Sequence, residues 1–162
     1  MAGMAHSQTH IHANTPCSPQ ETDAFLAEAE DLVTAKGQKL TKIRRKVLHL
    51  LLESEEPAKA YDLLTKLDGE GAAKPPTIYR ALDFLQEMGL AHKIESLNAY
   101  VACGHAQHAH SAVFIICDSC GAAEELHAVA TSEAMNSEAK AAGFSVRSAV
   151  IEARGICRKC PE

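Results

Sequence analysis

The sequence predicts an α+β fold in two parts: a winged helix-turn-helix unit, then a small α/β unit built on a three-stranded sheet. Three observations carry that expectation. Segments with helical apolar spacing fill the first half and run into two short stretches that read as a hairpin. The second half instead shows a continuous apolar run, a helical segment and an alternating segment. Near the C-terminus stand two CxxC steps, Cys117-Asp-Ser-Cys120 and Cys157-Arg-Lys-Cys160.

Residues 1–17 are rich in Ala, His, Thr and Ser with no apolar period, and read as a disordered tail whose His6, His10 and His12 are at most weak chelators. Ser18-Pro19-Gln20-Glu21 is a helix start, with Ser at N-cap, Pro at N1 and Glu at N3. That helix runs through Phe25, Ala29, Leu32 and Val33 until Gly37 stops it. Thr41 opens a second helix with Ile43, Val47, Leu50 and Leu51 as its apolar face. A short third helix spans about 58–67, with Leu63, Leu64 and Leu67 inward. Pro75-Pro76-Thr77 starts a fourth, closed by Gly89, whose Ile78, Ala81, Leu82, Leu85 and Met88 share one face. Thr77, Arg80, Asp83 and Glu87 lie on the opposite face. Strands over 92–96 and 99–103, joined by Leu97-Asn98, complete the wing. In such a unit the last helix lies in a DNA major groove and the hairpin approaches the backbone.

After a His-rich loop over 104–111, the run 112–117 reads as a buried strand and 122–127 as its partner. A helix follows over about 129–142, and 144–153 reads as a strand with Phe144, Val146, Val150 and Ile151 as its apolar members. So small a sheet must bury a face, and a second subunit is its natural cover. The resulting division is 1–17 tail, 18–103 winged helix, 104–111 hinge and 112–162 dimerisation unit.

Composition narrows the function. A chain of 162 residues with no Trp, three Tyr and four Phe builds its core from aliphatic side chains. No apolar run approaches the roughly 18 residues that span a bilayer, and no signal-peptide pattern opens the chain, so a cytoplasmic location is expected. The net charge of −5 argues against purely electrostatic nucleic-acid binding. Yet Lys36, Lys39, Lys42, Arg44, Arg45 and Lys46 crowd one stretch, which reads either as a phosphate-facing patch or as a solvated helix face.

Cys117, Cys120, Cys157 and Cys160 supply the four thiolates of a structural zinc site. The interval between the pairs exceeds the usual ribbon spacing of about 15–20 residues, so the ion would fasten distant strands. A second set, His92, Cys103, His110 and Glu125, draws on both halves of the chain. Each of these also has a plain structural reading, and His105 and His108 compete with His110. Two nitrogens, a thiolate and a carboxylate suit Zn²⁺ better than iron or manganese.

Several stretches together resemble the ferric uptake regulator family of bacterial metal-responsive repressors, and within it the zinc-uptake branch. They are Ala60-Tyr-Asp-Leu-Leu64, Lys74-Pro-Pro-Thr-Ile-Tyr-Arg-Ala-Leu-Asp-Phe-Leu85, His92-Lys-Ile-Glu-Ser96, Phe114-Ile-Ile-Cys-Asp-Ser-Cys-Gly121 and Cys157-Arg-Lys-Cys160. The resemblance implies a homodimeric repressor of zinc-uptake genes that binds operator DNA and holds two zinc ions per subunit, one structural and one regulatory. It implies base contacts by Tyr61 and Arg80, places Thr77 and Tyr79 at the start of the recognition helix, and carries the regulatory ligands onto His92, Cys103, His110 and Glu125. The interval from Cys103 to His110 is one residue shorter than in the branch, which keeps His108 as a rival ligand. An iron, manganese or peroxide sensor of the same family is the alternative reading, and Cys103 argues against it. A zinc enzyme lacks support, since no HExxH or deaminase motif is present.

Overall fold

A computed structural model of the protein describes residues 18–67, 74–103, 112–126, 128–147 and 149–161. The expected tail, the loop at 68–73 and the hinge loop with His105, His108 and His110 lie outside the described residues.

Helix α1 (Pro19–Ala35) begins as its sequence dictates. The Ser18 hydroxyl accepts from the Glu21 amide, and the Glu21 carboxylate takes the Ser18 amide at 2.8 Å, a reciprocal capping box. Helix α2 (Lys42–Leu52) is capped by Thr41, whose hydroxyl accepts from the Arg44 amide. Helix α3 (Ala60–Leu67) is short, and α4 (Pro75–Glu87) starts on two prolines whose missing N–H groups cost nothing in a first turn. Gly89, at φ 74°, ends α4 in the left-handed conformation that glycine adopts without strain. Helix α4 packs on α2 and α3, and α1 on α2. Among the described residues no helix is long and apolar enough to cross a membrane.

The wing pairs β1 (Ala91–Ile94) with β2 (Ala99–Ala102) antiparallel, His92 facing Val101 in register. In place of the two-residue turn expected at Leu97-Asn98, a single 3-10 turn over Glu95–Leu97 makes the connection, and Asn98 closes it at φ 47°. Ala58 adds a third short rung to the wing, exchanging two 2.8 Å backbone hydrogen bonds with Tyr100.

The second sheet has the order β4 (Ala123–Leu126), β3 (Ala112–Cys117), β5 (Val150–Gly155), antiparallel then parallel, with α5 (Val129–Ala141) in the connection. The last strand is therefore later than the alternation of 144–153 suggests. Its ladder begins with Ala112 opposite Val150, and Phe144 and Val146 stand exposed ahead of it. Alternation describes a half-buried surface, but a strand also needs a partner, and β3 provides one only from Ala112 onward.

The wing is the middle layer. Tyr100 and Ala102 face the helices and join their core with Phe25, Leu48, Leu63, Leu82 and Leu85. Ile94 and Val101 face the other way and share a second core with Ala112, Phe114, Ile116 and Ala123 of the sheet. Both faces of a strand pair are thus covered, and the period-2 alternation sends each residue to one core or the other.

Ile43, expected on the inner face of α2, is 38 % exposed. The buried face is instead Val47, Leu48, Leu51 and Leu52.

Candidate metal centres and nucleic-acid face

Parallel pairing brings the two CxxC steps together. Strands β3 and β5 run side by side in one direction, with Cys117 opposite Gly155, so the residues that follow each strand emerge at the same end of the sheet. Gly121, at φ 75°, lets the chain reverse after the first step, and its amide donates to the Cys117 carbonyl at 3.0 Å. The four sulfurs lie within 4.8 Å of one another, with Cys120 to Cys157 at 3.8 Å and Cys157 to Cys160 at 3.7 Å. Sulfurs bound at about 2.3 Å around a tetrahedral ion are separated by about 3.8 Å. The donor set and its spacing fit zinc.

The electrostatics favour a thiolate there. Backbone amides of Cys120, then Cys157, hydrogen-bond the Cys117 sulfur and pull its pKa down to about 6. At Cys160 the Ser119 hydroxyl acts to lower the pKa, but the hydrogen bonds with Cys157 and Cys120 outweigh it and push the value up to about 11. Crowded thiols ionise one after another, and a divalent cation removes the repulsion that holds the last proton on. Beside the cluster the Arg154 guanidinium donates to Asp118 at 2.7 Å, joining the first CxxC turn to β5.

The second cluster sits between the wing and the sheet. His92 on β1 shares a wing face with Ile94 and Val101, and Cys103 follows β2 with its amide on the Leu90 carbonyl at 3.0 Å. Glu125 on β4 is in register with Phe114 and faces the wing. One donor atom from each of His92, Cys103 and Glu125 falls within 4.8 Å of the others. Cys103 is buried, and the His92 and Glu125 side chains are only 13 % and 7 % exposed. The His92 Nε2 to Glu125 Oε1 distance of 3.8 Å is too long for a hydrogen bond. A nitrogen, a thiolate and a carboxylate at such separations fit a divalent ion of zinc's character. His110 and His108 lie outside the described residues.

The four residues that the sequence points to for nucleic-acid contact lie on α3 and α4. Tyr61 is 74 % exposed and Tyr79 51 %, and Arg80 is exposed on α4 beside half-buried Thr77. Thr77, Arg80 and Ala81 of α4 line an open groove of 350 Å³ together with Thr41 and the first α2 residues Lys42, Ile43 and Arg44. The groove explains why Ile43 is not buried.

The basic stretch divides between two roles. Arg44 stacks 3.4 Å above the Phe84 ring and donates to the Lys39 carbonyl at 2.7 Å. Arg45 pairs with Glu30 of α1 at 3.0 Å, and Lys36 reaches the Met88 carbonyl at 3.5 Å. These three tie α1, α2 and the end of α4 together. Of the six, Lys42 is exposed and lines the groove, and Lys39 is exposed just ahead of α2.

A family model described as the ferric uptake regulator family matches residues 35–154. The chain belongs to the ferric uptake regulator family. It is 44 % identical over 143 residues to the zinc uptake regulation protein of Escherichia coli (strain K12), covering 87 % of this chain and 84 % of the relative. A structure of a zinc uptake regulator complexed with zinc and DNA is 43 % identical and superposes with a TM-score of 0.79, covering 86 % of this chain and 94 % of that one. XcZur is known from a holo and an apo crystal structure. The holo form gives a TM-score of 0.76 at 42 % identity, covering 85 % of this chain and 97 % of that one. The apo form gives 0.50 at 40 % identity, covering 87 % and 98 %. At nearly equal identity, this chain superposes more fully on the holo structure than on the apo structure.

Proposed function

We propose that the protein is a zinc-responsive transcriptional repressor of zinc-uptake genes, binding operator DNA as a homodimer in the cytoplasm, and not an enzyme. The observation that carries the reading is the convergence of His92 and Cys103 from the wing with Glu125 from the sheet. Residues 18–103 form the DNA-binding part, 104–111 the hinge and 112–162 the dimerisation part.

The two donor sets support two zinc ions per subunit. Cys117, Cys120, Cys157 and Cys160 hold the structural ion. His92, Cys103 and Glu125 hold the regulatory one, with a fourth ligand from the hinge loop, His110 or its rival His108. The regulatory ion supplies a bridge between wing and sheet when bound. The wing residues then hold α4 at one angle to the dimerisation part, and Tyr61, Thr77, Tyr79 and Arg80 of the two subunits face two half-sites at a set spacing. Likeness to the holo form of XcZur, and to the regulator complexed with zinc and DNA, supports this closed stance.

The exposed apolar side chains of the second half, including Ile115, Val129, Phe144 and Val146, give a second subunit a surface to cover. Linkage requires that zinc and operator strengthen each other's binding equally, typically by about 1–3 kcal/mol.

The test is a zinc titration of operator binding on dimer that retains only its tightly held ion. Operator affinity should rise with zinc in the native protein. His92→Ala should stay a folded dimer and lose the rise. A normal zinc response in His92→Ala would remove the regulatory assignment.

A further inference from the structure

The wing also touches the sheet on the other side of Phe114. Phe114 is in register with Glu125 on β4 and with Glu152 on β5, so one row of the sheet carries carboxylate, ring, carboxylate toward the wing. Glu125 belongs to the His92 cluster. Glu152 does something else: its Oε1 accepts the Glu95 amide at 2.6 Å and its Oε2 accepts the Ser96 amide at 3.2 Å. Those amides open the 3-10 turn at the tip of the wing. The first N–H groups of a helical turn have no partner within the turn, and a carboxylate that takes two of them makes strong, charge-assisted bonds.

The surroundings suit the contact. Glu95, which would repel Glu152, has its own carboxylate 2.6 Å from the Lys93 ammonium. Ile94, the residue before the turn, is fully buried in the core shared by wing and sheet. Glu152 is half-buried on β5, and the two amides at the wing tip meet both of its carboxylate oxygens.

We propose that Glu152 is a positioning residue, a metal-free clasp that holds the wing tip on β5 so that His92, Cys103 and Glu125 are already assembled when they meet their ion. The inference rests on the regulatory reading of that cluster. Apparent affinity for a ligand falls in proportion to the fraction of protein in the competent arrangement. A clasp that raises this fraction lowers the zinc concentration needed for operator binding, without touching zinc or DNA.

The test is the zinc midpoint of operator binding for the full-length dimer, native, Glu152→Ala and Glu152→Gln. Glu152→Ala should move the midpoint to about ten-fold higher zinc, within the usual range of inter-site coupling. Operator affinity at saturating zinc should return to the native value, because the ion can close the wing alone. Glu152→Gln keeps an acceptor oxygen and should shift less. Unmoved midpoints in both variants overturn the clasp, as does an operator affinity that excess zinc fails to restore. If Glu152→Ala does not fold, Glu152→Gln is judged by the same two outcomes. A native protein whose operator binding ignores zinc would overturn the regulatory reading beneath; zinc dependence with unmoved variants overturns the clasp alone.

Discussion

The His92 imidazole meets the Phe114 ring edge-on, with centroids 5.9 Å apart and planes inclined at 66°. Phe114 is fully buried and sits in the middle strand of the sheet, so a rigid ring supports one candidate ligand from beneath. The same ring lies between Glu125 and Glu152 in register. Packing and metal chemistry therefore meet at one side chain.

Phe114→Ala should leave a cavity between wing and sheet and destabilise the protein by about 3–5 kcal/mol. It should also weaken the zinc response, since His92 loses the surface that orients it. Denaturant unfolding with the cysteine site loaded measures the first effect, and a zinc titration of operator binding the second. Unchanged stability would mean that the wing does not rest on the sheet in solution.

Cys117→Ser removes a donor from the end of β3 and should cost the second half its fold and the protein its dimer. Structural zinc in small domains is worth about 10–16 kcal/mol of apparent binding energy. Metal content and light scattering of the purified variant decide the matter. A stable dimer that retains its tight zinc would contradict the structural assignment.

Arg80→Ala should weaken specific operator binding by roughly 1–3 kcal/mol per half-site contact and relax base preference at one position. Lys42→Ala, at the groove's edge, should instead weaken all duplexes alike and flatten the salt dependence. Footprints and salt titrations separate the two. An unchanged footprint in Arg80→Ala would take that side chain out of base readout.

Acid should loosen the wing through Glu152. Burial pushes its carboxyl up, but the Ser96 hydroxyl, the Glu95 and Ser96 amides and the Arg154 charge outweigh burial and hold it below the ordinary carboxylate range. A carboxyl with a depressed folded-state pKa stabilises fully above its unfolded value and loses that contribution as pH falls through the folded one. The stability gap between native protein and Glu152→Gln should therefore be widest near neutrality and close in acid, below about pH 4. A gap independent of pH would show that the ionised form is not the one clasped.

Local chemistry made much of the molecule legible from its residues. Ser18 with Glu21, Thr41 and the Pro75-Pro76 pair mark helix starts through contacts within a few residues, and those starts stand where expected. The cysteine spacing announced four sulfurs able to converge, and family membership was readable from the segments around Arg80 and Cys117. Long-range partners were not legible. That β5 begins at Val150, that Arg44 and Arg45 engage Phe84 and Glu30, and that Ile43 borders a groove follow from packing between elements far apart in the chain. The Glu152 clasp spans 57 residues from its first amide, and the only local hint was an acid inside an apolar run. Caps and periodicity are set by neighbours along the chain, whereas register and burial are chosen by whichever distant surface covers the most apolar area and leaves no charge unpaired.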